Sequence, residues 1–363
     1  MRLAIALILG TTLSVGGLTA YAQTPAAAPA TAGAPYKAPR LAIGQPDLQG
    51  VWSNASLTPL TRPAGLGDRL VYTDEEVAKL EGNVQIEIEE GNQPTDPNAP
   101  ATYVAPSSVQ RPEFAAAGGA VGGYNRGWLD PGNHVMRVNG EPRTSILTTA
   151  NGMPPQRKAT ASTGASPAMP AGSNAFDSYE RRSAGERCIV SFGRNGGPPM
   201  LANGFYNNNY QFVQSPDHVV IMVEMNHDAR IVRLNSKHRT DGVRPYFGDA
   251  IGWWDGDTLV VETTNIPRSQ QFMGSWENLK VTERFTRVGE DRLHYSFKIE
   301  DPTFWDAPWG GEYEFAPLGQ PIYEYACHEG NHALPGILMG ERVKDWEAEA
   351  AAAKPAKPAK PTR

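Results

Sequence analysis

From Tyr210 onward, apolar and polar positions follow one another in short runs separated by turn residues. Tyr210-Gln211-Phe212-Val213-Gln214 alternates and stops at Ser215-Pro216-Asp217-His218. Val219 to Met225 is apolar except for Glu224 and predicts a buried strand. Arg230 to Leu234 alternates again. Gly252-Trp253-Trp254 leads through Asp255-Gly256-Asp257 into Thr258 to Thr263, and Asp-Gly between apolar runs is a strong hairpin signal. Lys280 to Val288 and Arg292 to Glu300 form a further hairpin across Gly289-Glu290-Asp291, and Gly311 to Phe315 with Ile322 to Ala326 a last pair. Strands joined by short turns, without helical crossovers, predict a mainly β fold. The expected form is an antiparallel up-and-down meander closed into a lipocalin-like barrel, with a β-sandwich as the alternative.

Upstream the texture changes. Asp47-Leu48-Gln49-Gly50-Val51-Trp52 reads as a strand entered from a turn. Thr73 followed by Glu76 is a capping box, which starts a short helix from Asp74 to about Glu81. Residues 91–182 are rich in Gly, Pro, Ser and Asn, with Tyr124 to Gly132 and Arg143 to Leu147 as ordered islands and Gly152 to Ser173 as a mobile loop. The expected plan is one β-rich domain over residues 41–346, with a loop-rich part (91–182) and a strand-rich part (188–341).

The ends bound the address. Met1-Arg2-Leu3, an apolar run to about Leu18 and Ala20-Tyr21-Ala22 have the layout of a cleaved signal peptide over residues 1–22. The Ala/Pro-rich stretches 23–40 and 347–363 cannot bury enough surface to offset chain entropy and are expected to be disordered. A periplasmic or secreted protein without integral membrane contact follows. The net charge is −6, and no Lys/Arg cluster suggests a nucleic-acid partner. Of the two cysteines, Cys188 and Cys327, a disulfide is expected in an oxidising compartment. Closing so long a loop stabilises by roughly 4–5 kcal/mol in the chain-entropy model.

Candidate chemistry gathers at predicted strand ends. His328-Glu329-Gly330-Asn331-His332 matches H-E-x-x-H literally. The zinc chemistry of that motif needs both histidines on one helical face, with Glu329 as base. Gly330, Asn331 and the nearby Pro335 oppose a helix there, so a strand-to-loop corner, or an active-site loop using His328 or Glu329, competes with it. Glu224-Met225-Asn226-His227-Asp228 caps an apolar strand, and a period of two puts Glu224, Asn226 and Asp228 on one face with His227 opposite. His227 or Glu224 then serves as a base, or the cluster is a solvated turn. Tyr206-Asn207-Asn208-Asn209-Tyr210 offers Tyr206 and Asn208 for a sugar or phenolic ligand, unless it is only a turn. Trp305 and Trp309 flank a Pro/Gly loop that is either a lid over a pocket or a plug at a barrel end. Glu283, beside Arg284, reads as ordinary strand-edge pairing, and Glu300-Asp301-Pro302 as a turn. No nucleophile elbow, phosphate loop, dinucleotide fingerprint or C-x-x-C is present, so no organic cofactor is indicated.

Gly248-Asp249, Gly256 to Asn265 and Tyr323-Glu324-Tyr325-Ala326-Cys327-His328-Glu329-Gly330-Asn331 resemble a family of exported bacterial proteins of unassigned reaction. The resemblance reaches back to Asp47 to Trp52 and Arg143-Thr144-Ser145 and spans most of the expected domain. It implies export and assigns no catalytic residue. In that family an aromatic often stands at the position of His332, which directs attention to Cys327-His328-Glu329.

The expectation is a cofactor-independent periplasmic enzyme, a lyase or isomerase before a hydrolase, acting on a small aromatic or carbohydrate-derived substrate. His227 and His328 are its acid and base, because His titrates near working pH. Glu224 and Glu329 assist, and Tyr206, Asn208, Trp305 and Trp309 bind substrate. A non-catalytic small-ligand carrier is one alternative. The other is a zinc hydrolase using His227, His328 and His332.

Overall fold

The computed structural model describes residues 36–91, 132–161, 176–191, 193–202 and 206–353. The signal-peptide segment, most of the 23–40 linker, Tyr124 to Asp130, residues 162–173 and the last ten residues lie outside that range.

Short alternating runs become strands: β1 Gly50–Ser53, β4 Asn209–Gln214, β5 His218–Val223, β6 Ala229–Leu234, β7 Asp249–Asp255, β8 Thr258–Thr264, β9 Lys280–Gly289, β10 Arg292–Glu300 and β11 Trp309–Pro317. These nine close into a barrel in the order β1-β11-β10-β9-β8-β7-β6-β5-β4, and β4 returns to β1. A two-stranded ribbon, β2 Arg137–Val138 with β3 Glu141–Pro142, forms a separate sheet against β11, where Asn139 N donates to Glu314. The mainly β barrel expected from the sequence is therefore present.

An odd number of strands cannot alternate direction all the way round a ring. The barrel resolves this with one parallel neighbour pair, β6 with β7, where Arg233 faces Ile251 and Leu234 faces Gly252. The chain between them must cross from one barrel end to the other. The seam is tight: a Cβ on Gly252 would lie 2.7 Å from Val232 Cγ1, which is why glycine stands there.

Period-two burial fills the interior. β5 points Val219, Ile221 and Val223 inward, and β10 points Leu293, Tyr295, Phe297 and Ile299 inward. Rings meet edge to face across the barrel, as in Phe212–Phe285 at 5.4 Å and Phe212–Phe315 at 6.2 Å. Such a barrel is a packed core through much of its depth.

The two barrel ends differ. One is closed by tight hairpins at Gln214 to His218, Asp255 to Thr258 and Gly289 to Arg292. The other receives the long connections: 54–208 between β1 and β4, 224–228, 265–279 and 301–308. We call the second the broad end.

Several boundaries depart from the sequence expectation. Ile322 to Ala326 is not a strand. Because β11 pairs with β1 and closes the barrel, no open edge is left for it. It lies as an extended strap, with Leu318 N bonded to Val51 O and Tyr323 N to Glu224. The helix α1, Asp74–Gly91, starts on the expected capping box but runs past Glu81. Val77 and Val84, seven residues apart on one face, are both buried and carry it through Gly82. Residues 152–161 are ordered, not mobile: Lys158 N bonds Phe304 O at 2.9 Å and Arg157 pairs with Trp305. After a four-residue helix, α2 Cys327–Gly330, helix α3 runs over Ala333–Ala352. It takes in residues 347–352, where disorder is expected, because Glu and Ala there are the best helix formers and the Lys-Pro repeats begin only at Lys354. None of its residues is buried, and Met339, Val343 and Trp346 are exposed. No helix among the described residues is long and apolar enough to cross a membrane.

Candidate functional site at the broad end

The residues singled out in the sequence prove to hold the strap and fill the core. Glu224 is buried at 3% exposure, and its Oε2 accepts from Asn209 Nδ2 at 2.6 Å while Oε1 accepts from Tyr323 N at 3.1 Å. His227 is exposed, and its Nε2 accepts from Tyr325 N at 3.3 Å. Met225–His227 is a 3-10 turn with Asn226 and His227 at positive φ, so the strand alternation expected for Glu224, Asn226 and Asp228 fails. Tyr206 stacks on Tyr325 with centroids 6.2 Å apart. Asn208 is fully buried and its Oδ1 accepts from Asn195 Nδ2 at 3.1 Å. The expected disulfide between Cys188 and Cys327 is formed, with a Cα–Cα distance of 5.7 Å.

The H-E-x-x-H segment does not occupy one helix. His328 and Glu329 lie in α2, Asn331 ends it, and His332 sits ahead of α3. All three side chains are exposed. Among the described residues, no three His, Cys, Asp or Glu groups converge as a metal set would. Trp305 and Trp309 are buried at 3% and 4% exposure and pack edge to face at 5.3 Å, with Trp309 stacked on Phe272. Their position is that of the plug, not of the lid.

Inside the broad end lies a constellation that the sequence reading missed. Val281, Glu283 and Phe285 share the inward face of β9, so Glu283 is fully buried and not on a strand edge. Arg230, inward on β6 at 2% exposure, grips it with both guanidinium nitrogens: Nη1 donates to Oε1 at 3.1 Å and Nη2 to Oε2. Tyr295 Oη donates to Glu283 Oε1 at 2.8 Å. Met200 N donates to Tyr295 Oη at 3.0 Å, and Tyr313 Oη donates to Met200 O at 2.9 Å. Asn54, just beyond β1, donates through Nδ2 to both Tyr210 Oη (3.2 Å) and Tyr313 Oη (3.0 Å). Burial raises the pKa of all three phenols, so they stay neutral donors.

One loop, residues 193–202, seals this network. Gly197, at φ 65°, packs so closely that a Cβ would stand 2.9 Å from Met200 Cγ and 3.0 Å from Arg230 Nη1. Leu201 N and Gly197 N both return to Arg194 O, which folds the loop back on itself. Arg194 Nη1 donates to Gln270 O at 3.1 Å, Nη2 donates to Pro198 O, and the guanidinium lies over the Phe272 ring at 5.0 Å. Burial and the neighbouring charge of Arg230 push Arg194 down to about 10. Arg230 Nε, Arg194 Nε, Asn54 Oδ1 and Asn195 Oδ1 have no hydrogen-bond partner among the described residues. A dry ion pair, three phenols and unfilled donors and acceptors can grip a small polar molecule once the loop moves aside.

The outer face of the barrel carries separate charge clusters. His238 bridges Asp249 Oδ2 (3.1 Å) and Glu262 Oε1 (3.2 Å), while Asp249 also accepts from Arg233 at 2.7 Å and Arg239 N at 2.7 Å. Burial opposes the charge on Asp249, but these bonds outweigh it and hold the carboxyl below its usual 3.8. The bond from His294, with the charge of Arg143, holds Glu312 below 4.5 against burial. A carboxylate with a depressed folded pKa adds stability above its unfolded pKa, and that stability is lost as pH falls through the folded value. Asp228, raised by burial, acts in the opposite sense but is a single group. Stability should therefore fall below about pH 4. Asp249→Asn should cost about 1.5–3 kcal/mol near pH 7 and little near pH 2–3, read as denaturation midpoints at both ends of the range. An equal cost at both would show that the ionised carboxylate is not what stabilises there.

No family model, no curated protein and no solved structure matches the chain.

Proposed function

We propose that this protein is exported and that its barrel binds a small molecule at the broad end, beneath residues 193–202, as a carrier. The observation that carries this reading is the polar network of Arg230, Glu283, Tyr295, Tyr313 and Asn54. It is buried at the barrel end that receives the long connections and is roofed by one Gly/Pro-rich loop. Ligands of barrels are commonly met at such a mouth, where a few convergent polar groups are set among aromatics. A buried ion pair is weak evidence for stability, so a recognition role accounts for it better. The leader-like start and the Cys188–Cys327 bond support export.

A second reading keeps acid/base chemistry but moves it from His227 and His328 to Tyr295 and Glu283. What favours it is the 2.8 Å hydrogen bond between phenol and carboxylate. In this reading the enzyme is a lyase or isomerase, with Tyr295 as proton donor.

The test is a thermal-shift panel of small phenols, sugars and carboxylic acids on the mature protein, followed by mass spectrometry of the bound and recovered molecule. A ligand at about 100 times its Kd should add about 2.7 kcal/mol of stability. Tyr295→Phe should weaken that ligand, because it removes the hydroxyl that ties Glu283 Oε1 to Met200 N and so holds the site in shape. Recovery of the ligand unchanged supports the carrier, and a converted product supports the second reading. A panel with no hit, or a hit indifferent to Tyr295→Phe, overturns both.

A further inference from the structure

The charge balance of the broad end narrows the ligand, given the binding reading above. Two guanidinium groups, Arg194 and Arg230, stand at the network, and one carboxylate, Glu283, is paired there with Arg230 alone. The three phenols are neutral. The nearby carboxylates are engaged elsewhere: Asp228 Oδ2 accepts from Ser191 N and Oγ, both at 2.7 Å, and Asp301 accepts from Ser275 Oγ, Thr303 N and Thr303 Oγ1. No carboxylate lies within ion-pair distance of Arg194 among the described residues. Its acceptors are the backbone carbonyls of Gln270, Gln271 and Pro198. Arg194 is therefore left without a carboxylate in ion-pair contact at a poorly solvated site.

Of the open positions at this site, the two donors fall on the same two residues, while Asn54 Oδ1 and Asn195 Oδ1 are open acceptors. Arg230 is 2% exposed, yet its Nε has no partner, and neither has Arg194 Nε. The loop holds Arg194 partly through its own Pro198 carbonyl, so displacing residues 196–199 frees an Arg194 donor as it uncovers Arg230. A carboxylate presents two oxygens to guanidinium donors, and charge-assisted bonds of this kind are among the strongest that a protein makes. A neutral ligand would leave Arg194 without a counter-charge.

We infer that the ligand is a small organic monoanion, a carboxylate by preference, held between Arg194 and Arg230 where residues 196–199 are displaced.

The test is titration calorimetry of the mature protein with two shape-matched pairs, benzoate against benzamide and gluconate against glucitol, at low and raised salt. In at least one pair the anion should bind about tenfold or more tighter than its neutral partner, and more weakly at raised salt. Arg194→Gln should erase that preference. Arg194→Lys, which keeps the charge without the fork, should retain part of it. Arg194 is used because, unlike Arg230, it forms no ion pair among the described residues that its loss would leave uncompensated, and circular dichroism verifies that each variant is folded. Neutral partners that bind as well as the anions would overturn the anion assignment and leave the binding reading standing. A preference that survives Arg194→Gln would overturn the placement at Arg194. Failure of all four probes, when the wider panel has given a neutral ligand, would likewise overturn the anion assignment alone.

Discussion

Glu283→Gln is expected to destabilise the protein by about 3–5 kcal/mol, although it changes no atom count in the core and keeps an oxygen facing Tyr295. The cost lies with Arg230. Arg230 is 2% exposed, and among the described residues its one charged partner at hydrogen-bonding distance is Glu283, so a neutral amide leaves a buried cation uncompensated. Arg230 and Glu283 sit on β6 and β9, strands that are not neighbours in the ring, so the pair spans the interior and is not part of a ladder. Adding Arg230→Met to Glu283→Gln should recover much of the loss, because an apolar side chain needs no partner there. Chemical denaturation of wild type, both single variants and the double variant completes the cycle. Strong coupling between the two positions is the expected outcome. A Glu283→Gln midpoint within about 1 kcal/mol of wild type would mean that water reaches the pair and that the 193–202 loop does not seal it.

How much of this was readable in advance depended on which signal each element carries. The strands were legible because alternation and turn chemistry are local: Asp255-Gly256-Asp257 and Gly289-Glu290-Asp291 turn where the sequence says they should. The disulfide was legible from the count of two cysteines together with the expectation of export. Glu283 was half legible. Val281 and Phe285 on either side of it fix its face as inward, but a carboxylate beside Arg284 is more simply read as a surface pair. Arg230 was less so, because in Arg230-Ile231-Val232-Arg233-Leu234 either phase of the alternation buries an arginine or exposes an isoleucine. The fold takes the phase that leaves Ile231 60% exposed, and Glu283 is what makes that choice tolerable. That partner is 53 residues away, across a barrel whose closure no local pattern reveals.

The surroundings of the histidines were hidden from the sequence for a related reason. His227 and His328 were attractive because His titrates near neutrality and both stand at strand ends. Their spacing says nothing about what the barrel does with the last strand-like segment. Once β1 takes the edge of β11, Ile322 to Ala326 is left over and must satisfy its backbone on side chains. Glu224 and His227 supply two of those acceptors, so the cluster singled out for catalysis anchors the strap. The loop 193–202 carried no recognisable motif at all, since Gly-Gly-Pro-Pro specifies backbone shape and not chemistry.

Replacing both cysteines, Cys188→Ser with Cys327→Ser, should lower the unfolding midpoint and loosen the C-terminal segment, and the two effects have different origins. The bond joins residues 139 apart in sequence, so the chain-entropy model gives about 5 kcal/mol of stabilisation through the unfolded state. That is an upper bound, because unfolded chains retain some compactness. The loop it closes contains β4 to β11, so this part of the effect is global and appears in the denaturation midpoint. The second part is local. Downstream of Leu318 the strap is held by Tyr323 N on Glu224, Tyr325 N on His227, and Asn331 Nδ2 on Glu186 O at 2.8 Å. Helix α3 buries none of its residues and adds little of its own. Three hydrogen bonds of about 1 kcal/mol each, with the Tyr206–Tyr325 stacking and the part-exposed Arg342–Asp177 pair, do not hold fifteen or so residues against their chain entropy. Hydrogen exchange should therefore speed up at Tyr323 and Tyr325 in the double variant, while amides in the β9–β10 ladder keep their protection under native conditions. A lower midpoint with unchanged exchange at the strap would assign the bond to the unfolded state alone. Faster exchange with an unchanged midpoint would make it a local clasp. If neither moved, Glu224 and His227 would be sufficient anchors by themselves, and the buried carboxylate of Glu224 would then be the residue that fixes the strap to the barrel.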